Sequence, residues 1–133
     1  DTFISQYARA GSEGDMDSVR LAVCGAERVR DETRQLVRRK FDIEILEGYG
    51  ATEASPVVAA NSPRMNKPGT VGTLMAGMEC ELVPVEGIEE GGRLRIRGPN
   101  VMLGYMRPDK TDGMIPAISL PSMKMAASGF VAA

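Results

Sequence analysis

The stretch Ile45-Leu46-Glu47-Gly48-Tyr49-Gly50-Ala51-Thr52-Glu53-Ala54-Ser55-Pro56-Val57 decides how this chain is read. It opens as an apolar run, stops at a Gly-Tyr-Gly turn, and delivers a hydroxyl and a carboxylate side by side. Loops at strand ends carry function because a rigid scaffold positions them. Glycine permits unusual dihedrals and close approach of backbone to a ligand. Tyr49, between Gly48 and Gly50, can lay its ring against a planar base, and the Thr52 hydroxyl can donate to a phosphate oxygen. Glu53 can bind Mg2+, a cation that takes oxygen ligands and bridges to phosphates. The same residues also fit a tight strand-end turn around a partly buried tyrosine, and spacing alone favours that plainer reading.

Upstream, Val19 to Cys24 reads as a buried strand that ends at Gly25-Ala26-Glu27, where two small residues would admit the edge of a ligand. Taken alone, Gly25 to Glu27 is more simply a strand-to-helix turn. A helix is expected from Asp31 to Phe41, with Asp31 and Glu32 at its positive end and Arg38, Arg39 and Lys40 at its negative end. Another is expected over Thr2 to Ala10, with Phe3, Ile4, Tyr7 and Ala8 on one face. With a second strand at Ile43 to Leu46, the order helix, strand, helix, strand favours a parallel α/β sheet with sites at the carboxyl ends of strands. Two glycine turns at neighbouring strand ends would face one crevice, which strengthens the ligand reading of both.

Downstream the texture changes. Asn61 to Gly69 is a polar, proline-containing loop. From Val71 to Val85 the chain alternates, with Met78, Cys80 and Leu82 on one side and Glu79 and Glu81 on the other. Arg93-Leu94-Arg95-Ile96-Arg97 alternates again with Leu94 and Ile96 inward, and Val101 to Met106 resumes after a Gly98-Pro99-Asn100 break. A period of two with glycine turns reads as antiparallel β, a half-covered sheet or part of a barrel. Three arginines on one strand face suggest an anion, but a solvated face opposed by Glu79, Glu81, Glu89 and Glu90 is the better account. The expected organisation is therefore an α/β segment over 1–62, an antiparallel β segment over 69–110, and an aberrant tail over 111–133.

Composition narrows the chemistry. The 133 residues are 43% hydrophobic and 26% charged, enough to bury a globular core. A net charge of −2 gives no basic field for nucleic acid. The absence of His removes His-based acid–base catalysis, Ser-His-Asp triads and His metal sites together. Cys24 and Cys80 have no metal-type spacing and read as reduced, buried thiols of a cytoplasmic protein, though a disulfide stays open. No apolar run approaches a membrane span.

Gly48-Tyr49-Gly50-Ala51-Thr52-Glu53, Gly25-Ala26-Glu27 and the segment Gly92 to Tyr105, in that joint arrangement, resemble the AMP-forming adenylate enzymes. These comprise acyl-CoA and acyl-carrier-protein synthetases, luciferases and peptide-synthetase adenylation domains. The first motif looks like the family's Tyr-Gly-x-Thr-Glu signature and the second like its adenine-side loop. The third looks like its Gly-Glu-Leu…Gly-Tyr segment, with Arg93 in place of the usual Glu. The texts Glu47 to Val57 and Arg97 to Tyr105 are most like the acyl-carrier-protein synthetase half of bifunctional 2-acylglycerophosphoethanolamine acyltransferases.

The resemblance implies that Tyr49 stacks on adenine and that Gly25, Ala26 and Glu27 line the other side of the base. It implies that Thr52 contacts phosphate, Glu53 holds Mg2+, Gly48, Gly50 and Ala51 belong to the nucleotide site, and Gly50 and Ala51 border the acyl pocket. The implied reaction joins a fatty acid to ATP as acyl-adenylate and passes the acyl group to the thiol of an acyl carrier protein or CoA. The implied cofactors are ATP or AMP and Mg2+. The implied location is cytoplasmic, with membrane association of the parent enzyme left open.

The family's phosphate loop, its C-terminal domain with a catalytic lysine, and the ribose-binding Asp of a Tyr-x-Thr-Gly-Asp motif are not in this text. The expectation is a fragment of the large domain, inactive alone. The alternative is a non-catalytic folded remnant that self-associates through exposed strand edges. The tail offers an explanation for the missing Asp: prolines interrupt Met114 to Met123, leaving no strand or helical stripe. Synonymous codons exist for Lys110 to Ser119 that read, two bases on, as Asp-Gly-Trp-Tyr-Asp-Thr-Gly-Asp-Ile, so a shift of reading frame near Lys110 is expected.

Overall fold

The computed structural model describes residues 1–87 and 92–106 and, beyond them, the backbone of strands at 118–120, 123–126 and 129–132. In chain order the elements are α1 (Thr2–Ala10), β1 (Ala22–Cys24), α2 (Asp31–Phe41), β2 (Ile45–Gly50) and a 3-10 turn (Thr52–Ala54). Next come β3 (Val57–Ala60), β4 (Thr70–Leu74), β5 (Glu79–Val83), β6 (Gly92–Arg97), β7 (Ile118–Leu120), β8 (Met123–Ala126) and β9 (Gly129–Ala132). They form a six-stranded sheet in the order β1-β2-β3-β4-β9-β8 and a three-stranded sheet in the order β5-β6-β7.

Both helices have the expected bounds. In α2 the charges sit as the helix dipole favours, and the helix ends where Asp42 turns left-handed (φ 52) and its N–H bonds the Arg38 carbonyl. Ala8, Val29, Val37 and Ile45 are fully buried together and pack both helices on the start of β2. Lys40 Nζ donates to the Ala8 carbonyl at 3.0 Å, satisfying a carbonyl near the end of α1. A second apolar cluster, including Ala54, Val58, Val71, Met78, Leu94 and Ile96, joins β3 and β4 to the β5–β6 hairpin.

The expected α/β class holds, but among the described residues only β1 and β2 are parallel; the other pairings of this sheet are antiparallel, so the sheet is mixed. The first strand is shorter than expected, because its register begins at Ala22 opposite Ile45 and leaves Val19 and Leu21 unpaired and exposed.

Gly48-Tyr49-Gly50 is not a turn. It continues β2, pairs with β3, and carries a bulge between Tyr49 and Gly50. The glycines serve close approach of protein backbone instead: a Cβ on Gly50 would stand 2.0 Å from the Pro56 carbonyl oxygen. The chain reverses only at the 3-10 turn, and Ser55 at φ 50 redirects it into β3.

The alternation of β5 and β6 is as expected, with Leu94 and Ile96 buried. Arg95 faces Glu81 at 3.0 Å and Arg97 faces Glu79 at 3.9 Å on the exposed side, so these arginines form a solvated, cross-strand paired face. Glu89 and Glu90 lie outside the described residues. Val101 to Met106 forms no strand. The tail's prolines do not preclude strands either, since three residues suffice for β7 between Pro116 and Pro121 to pair with β6. The rest of the frame-shift expectation lies outside the described residues.

Candidate functional site

The site is built on β2 and the 3-10 turn at its end. Ile45 and Glu47 point to the same side of the strand, toward α2. Glu47 is 6% exposed, yet its carboxylate is fully engaged. Oε1 accepts the Val29 N–H at 2.9 Å; Oε2 accepts Arg34 Nη2 at 2.7 Å and the Gly69 N–H at 2.9 Å. Its main-chain oxygen accepts from the Asn61 N–H at 2.9 Å and from Asn61 Nδ2 at 3.1 Å. Burial pushes the Glu47 carboxyl up, but the two N–H donors and the Arg34 guanidinium outweigh it and the net direction is down. This node ties β2 to α2 and to the loop before β4, and so fixes the strand from which the next residues project.

Tyr49 is half-buried. Its ring packs on the second apolar cluster, and its Oη is buried without a hydrogen-bond partner among the described residues. Burial first, and the nearby Glu53 charge second, raise its phenol above the usual range. Thr52 is exposed at the start of the 3-10 turn, and Ala51 and Glu53 are partly exposed. The Glu53 carboxylate accepts the Tyr105 hydroxyl, which with its own backbone N–H lowers its pKa.

Gly25, Ala26 and Glu27 lie exposed at the carboxyl end of β1. The parallel pairing of Cys24 with Glu47 sets them beside Gly48; a Cβ on Gly25 would stand 3.3 Å from the Gly48 carbonyl oxygen. Ala26 takes the left-handed conformation at φ 70. The adjacency expected of the two motifs is therefore present. The Glu27 side chain is committed locally: it accepts the Thr2 N–H and the amino terminus, each at 2.9 Å, and its pKa falls to about 2. An open apolar groove of about 730 Å³ between α1 and β1 touches Gly25, Ala26 and Glu27 but not Tyr49, Thr52 or Glu53.

Among the described residues no three acidic, Cys or His side chains converge on a metal position. Glu53 is one accessible carboxylate beside an exposed hydroxyl. That fits Mg2+ held jointly with phosphates, since this ion keeps several waters and needs only one or two carboxylates; it does not fit a site that holds the ion without nucleotide. Cys24 and Cys80 are free, and burial raises both thiols, which disfavours a nucleophilic thiolate.

Three residues gained importance only from the structure. Glu47 had a legible signal, a carboxylate two places from an apolar residue on a strand facing an arginine-bearing helix. Asn100 and Tyr105 had none beyond their place in the third motif, because their partners lie 43 to 52 residues away.

Residues 2–106 match the family described as AMP-binding enzyme. The chain is 36% identical over 103 residues to a probable 4-coumarate–CoA ligase 3 of Dictyostelium discoideum, covering 72% of this chain and 19% of that protein. It is 35% identical over 107 residues to a long-chain-fatty-acid–CoA ligase of Salmonella typhimurium, covering 76% and 19%. The chain thus spans about a fifth of the length of these curated relatives. Its fold matches an anthranilate CoA ligase in complex with anthranoyl-AMP at TM-score 0.75 and 24% identity, over 96% of this chain and 27% of that one. It matches an o-succinylbenzoate coenzyme A synthetase of Bacillus subtilis, in complex with ATP and magnesium ion, at TM-score 0.74 and 21% identity, over 98% and 29%. With two of its motifs side by side at the ends of β1 and β2, and a family match that runs from α1 through the segment after β6, this chain belongs to the AMP-binding enzyme family.

Proposed function

We propose that this chain is the part of an AMP-forming acyl-activating ligase that holds the base and the magnesium-phosphate side of the nucleotide. The observation that carries this reading is the adjacency of Gly25 to Glu27 with the end of β2, next to the turn that presents Thr52 and Glu53. In this reading the Tyr49 ring meets adenine, Gly25 and Ala26 border its other side, the Thr52 hydroxyl donates to phosphate, and Glu53 supplies a carboxylate oxygen to Mg2+. Gly48, Gly50 and Ala51 line the nucleotide pocket, and Gly50 and Ala51 also border the acyl pocket. When bound, Mg2+ neutralises phosphate charge; this chain's residues position and orient, which is most of what catalysis needs in such a reaction.

The parent reaction is activation of a fatty acid as its adenylate and transfer to a thiol. The texts Glu47 to Val57 and Arg97 to Tyr105 support acyl carrier protein as the acceptor and a parent fused to a lysophospholipid acyltransferase; the curated relatives from Dictyostelium and Salmonella are CoA ligases. A cytoplasmic location goes with this reading. No helix among the described residues is long and apolar enough to cross a membrane.

ATP–pyrophosphate exchange with a fatty acid is the test. The 133-residue chain is expected to bind nucleotide without supporting exchange, and exchange above background contradicts this. A remnant that self-associates through the open edge of β1 is favoured instead if the chain sediments as an oligomer and binds no nucleotide. A frame shift near Lys110 is part of the same proposal; a gene whose displaced frame does not encode Tyr-Asp-Thr-Gly-Asp contradicts it.

A further inference from the structure

The third sequence motif, Gly92 to Tyr105, does more than supply β6. Past Arg97 it leaves the sheet and crosses the turn that carries Thr52 and Glu53. It is fastened there by groups of three kinds. The Asn100 side chain donates through Nδ2 to the carbonyls of Ala54 at 2.7 Å and Val57 at 2.8 Å, one on each side of Ser55. The Met102 N–H donates to the Glu53 carbonyl at 2.8 Å. The Tyr105 hydroxyl reaches the Glu53 carboxylate itself. Gly104, at φ 146, takes a backbone conformation that L side chains rarely adopt just before Tyr105 turns back to Glu53. A strap with only a structural task would need the first two kinds of contact and not the third, which lies on the solvent side and grips the Glu53 carboxylate. Tyr105 is 46% exposed, so core packing does not account for its position.

We propose that Tyr105 is a positioning residue: from the segment after β6, held by Asn100 and Met102, its hydroxyl orients the Glu53 carboxylate for a magnesium-nucleotide ligand. The inference rests on the proposed role of Glu53 as a magnesium ligand. Carboxylates that ligate metals are themselves hydrogen-bonded, and loss of such an outer partner typically weakens metal-dependent binding by about 10- to 100-fold in more buried sites. At this accessible carboxylate the lower end applies.

The test separates metal-dependent from metal-independent affinity. ATP is titrated calorimetrically into the 133-residue chain, with excess Mg2+ and again with EDTA, for the unmodified chain, Tyr105→Phe, Glu53→Gln and Asn100→Ala. Mn2+ electron paramagnetic resonance supplies a direct count of bound cation. The expected result is that Tyr105→Phe keeps its EDTA affinity within about twofold and loses about tenfold of the gain that Mg2+ confers. Asn100→Ala, which loosens the whole turn, lowers both. An undiminished Mg2+ gain in Tyr105→Phe, with that gain lost in Glu53→Gln, overturns the inference and leaves the reading of Glu53 standing. An equal fall in both affinities for Tyr105→Phe overturns it too, reducing Tyr105 to a structural contact. No Mg2+ gain in the unmodified chain overturns the reading of Glu53 and the inference with it.

Discussion

Two carboxylates six positions apart on one strand-and-turn unit have opposite fates. Glu47 is buried and engaged by two backbone N–H groups and a guanidinium from three separate segments. Glu53 is partly exposed and held by a phenol and its own N–H. The first cannot receive a ligand without dismantling the junction of α2, β2 and the 61–69 loop. The second can accept a cation without disturbing the core. A carboxylate that builds a scaffold and one that a scaffold presents are thus told apart by how many fixed donors already claim their oxygens, not by residue type or by nearness to the motif.

The contrast is most easily broken at Glu47. Removing one member of a buried pair leaves an uncompensated charge, so Glu47→Ala is expected to lower unfolding free energy by about 3–5 kcal/mol in urea titration, as Arg34 and two N–H groups lose their partner. A loss under about 1 kcal/mol would remove Glu47 from its structural role. A lesser loss is expected on the glycine side of the turn. Gly50→Ala places a Cβ against the Pro56 carbonyl and should cost about 1–3 kcal/mol by the same measurement. An unchanged midpoint would mean that the reversal into β3 yields freely.

Acid dependence tests the Glu47 junction in a second way. The folded pKa of Glu47 lies below its unfolded value of about 4.3, so its stabilisation is present above that pH and is lost as pH falls through the folded value. Glu27, with a folded pKa of about 2, acts in the same direction. The unmodified chain is expected to lose thermal stability on acidification below about pH 4.3. Glu47→Gln should have a shallower acid slope in the same melts, and an identical slope would exclude Glu47 as a source of it.

Much of the fold was legible because it depends on local periodicity. The helices Thr2–Ala10 and Asp31–Phe41 and the inward pair Leu94 and Ile96 come from residue spacing and charge placement that neighbours in sequence determine. The misread parts depend on distant backbone. Glycines at 48 and 50 look like turn residues, yet they are strand residues because β3 and Pro56 pass against them. Val101 to Met106 has the apolar content of a strand, yet Asn100 and Met102 attach the segment to carbonyls near residue 54 instead of to a sheet edge. In the site, the adjacency of Gly25 to Glu27 with Gly48 to Gly50 was legible from parallel strand order. The Tyr105 contact with Glu53 was not, because no local pattern specifies a hydrogen bond spanning 52 residues.

The assignment of Glu53 stands or falls on a paired measurement of Glu53→Gln: its thermal melt, and calorimetric titration of ATP with and without Mg2+ beside the unmodified chain. The melt is expected to be unchanged to within about 0.5 kcal/mol, as for a partly exposed side chain outside both apolar clusters. ATP binding by the unmodified chain is expected to strengthen with Mg2+, and that strengthening to be absent in the variant. A variant that unfolds early, or that keeps the full Mg2+ effect, would contradict the assignment of Glu53 as the carboxylate presented to ligand.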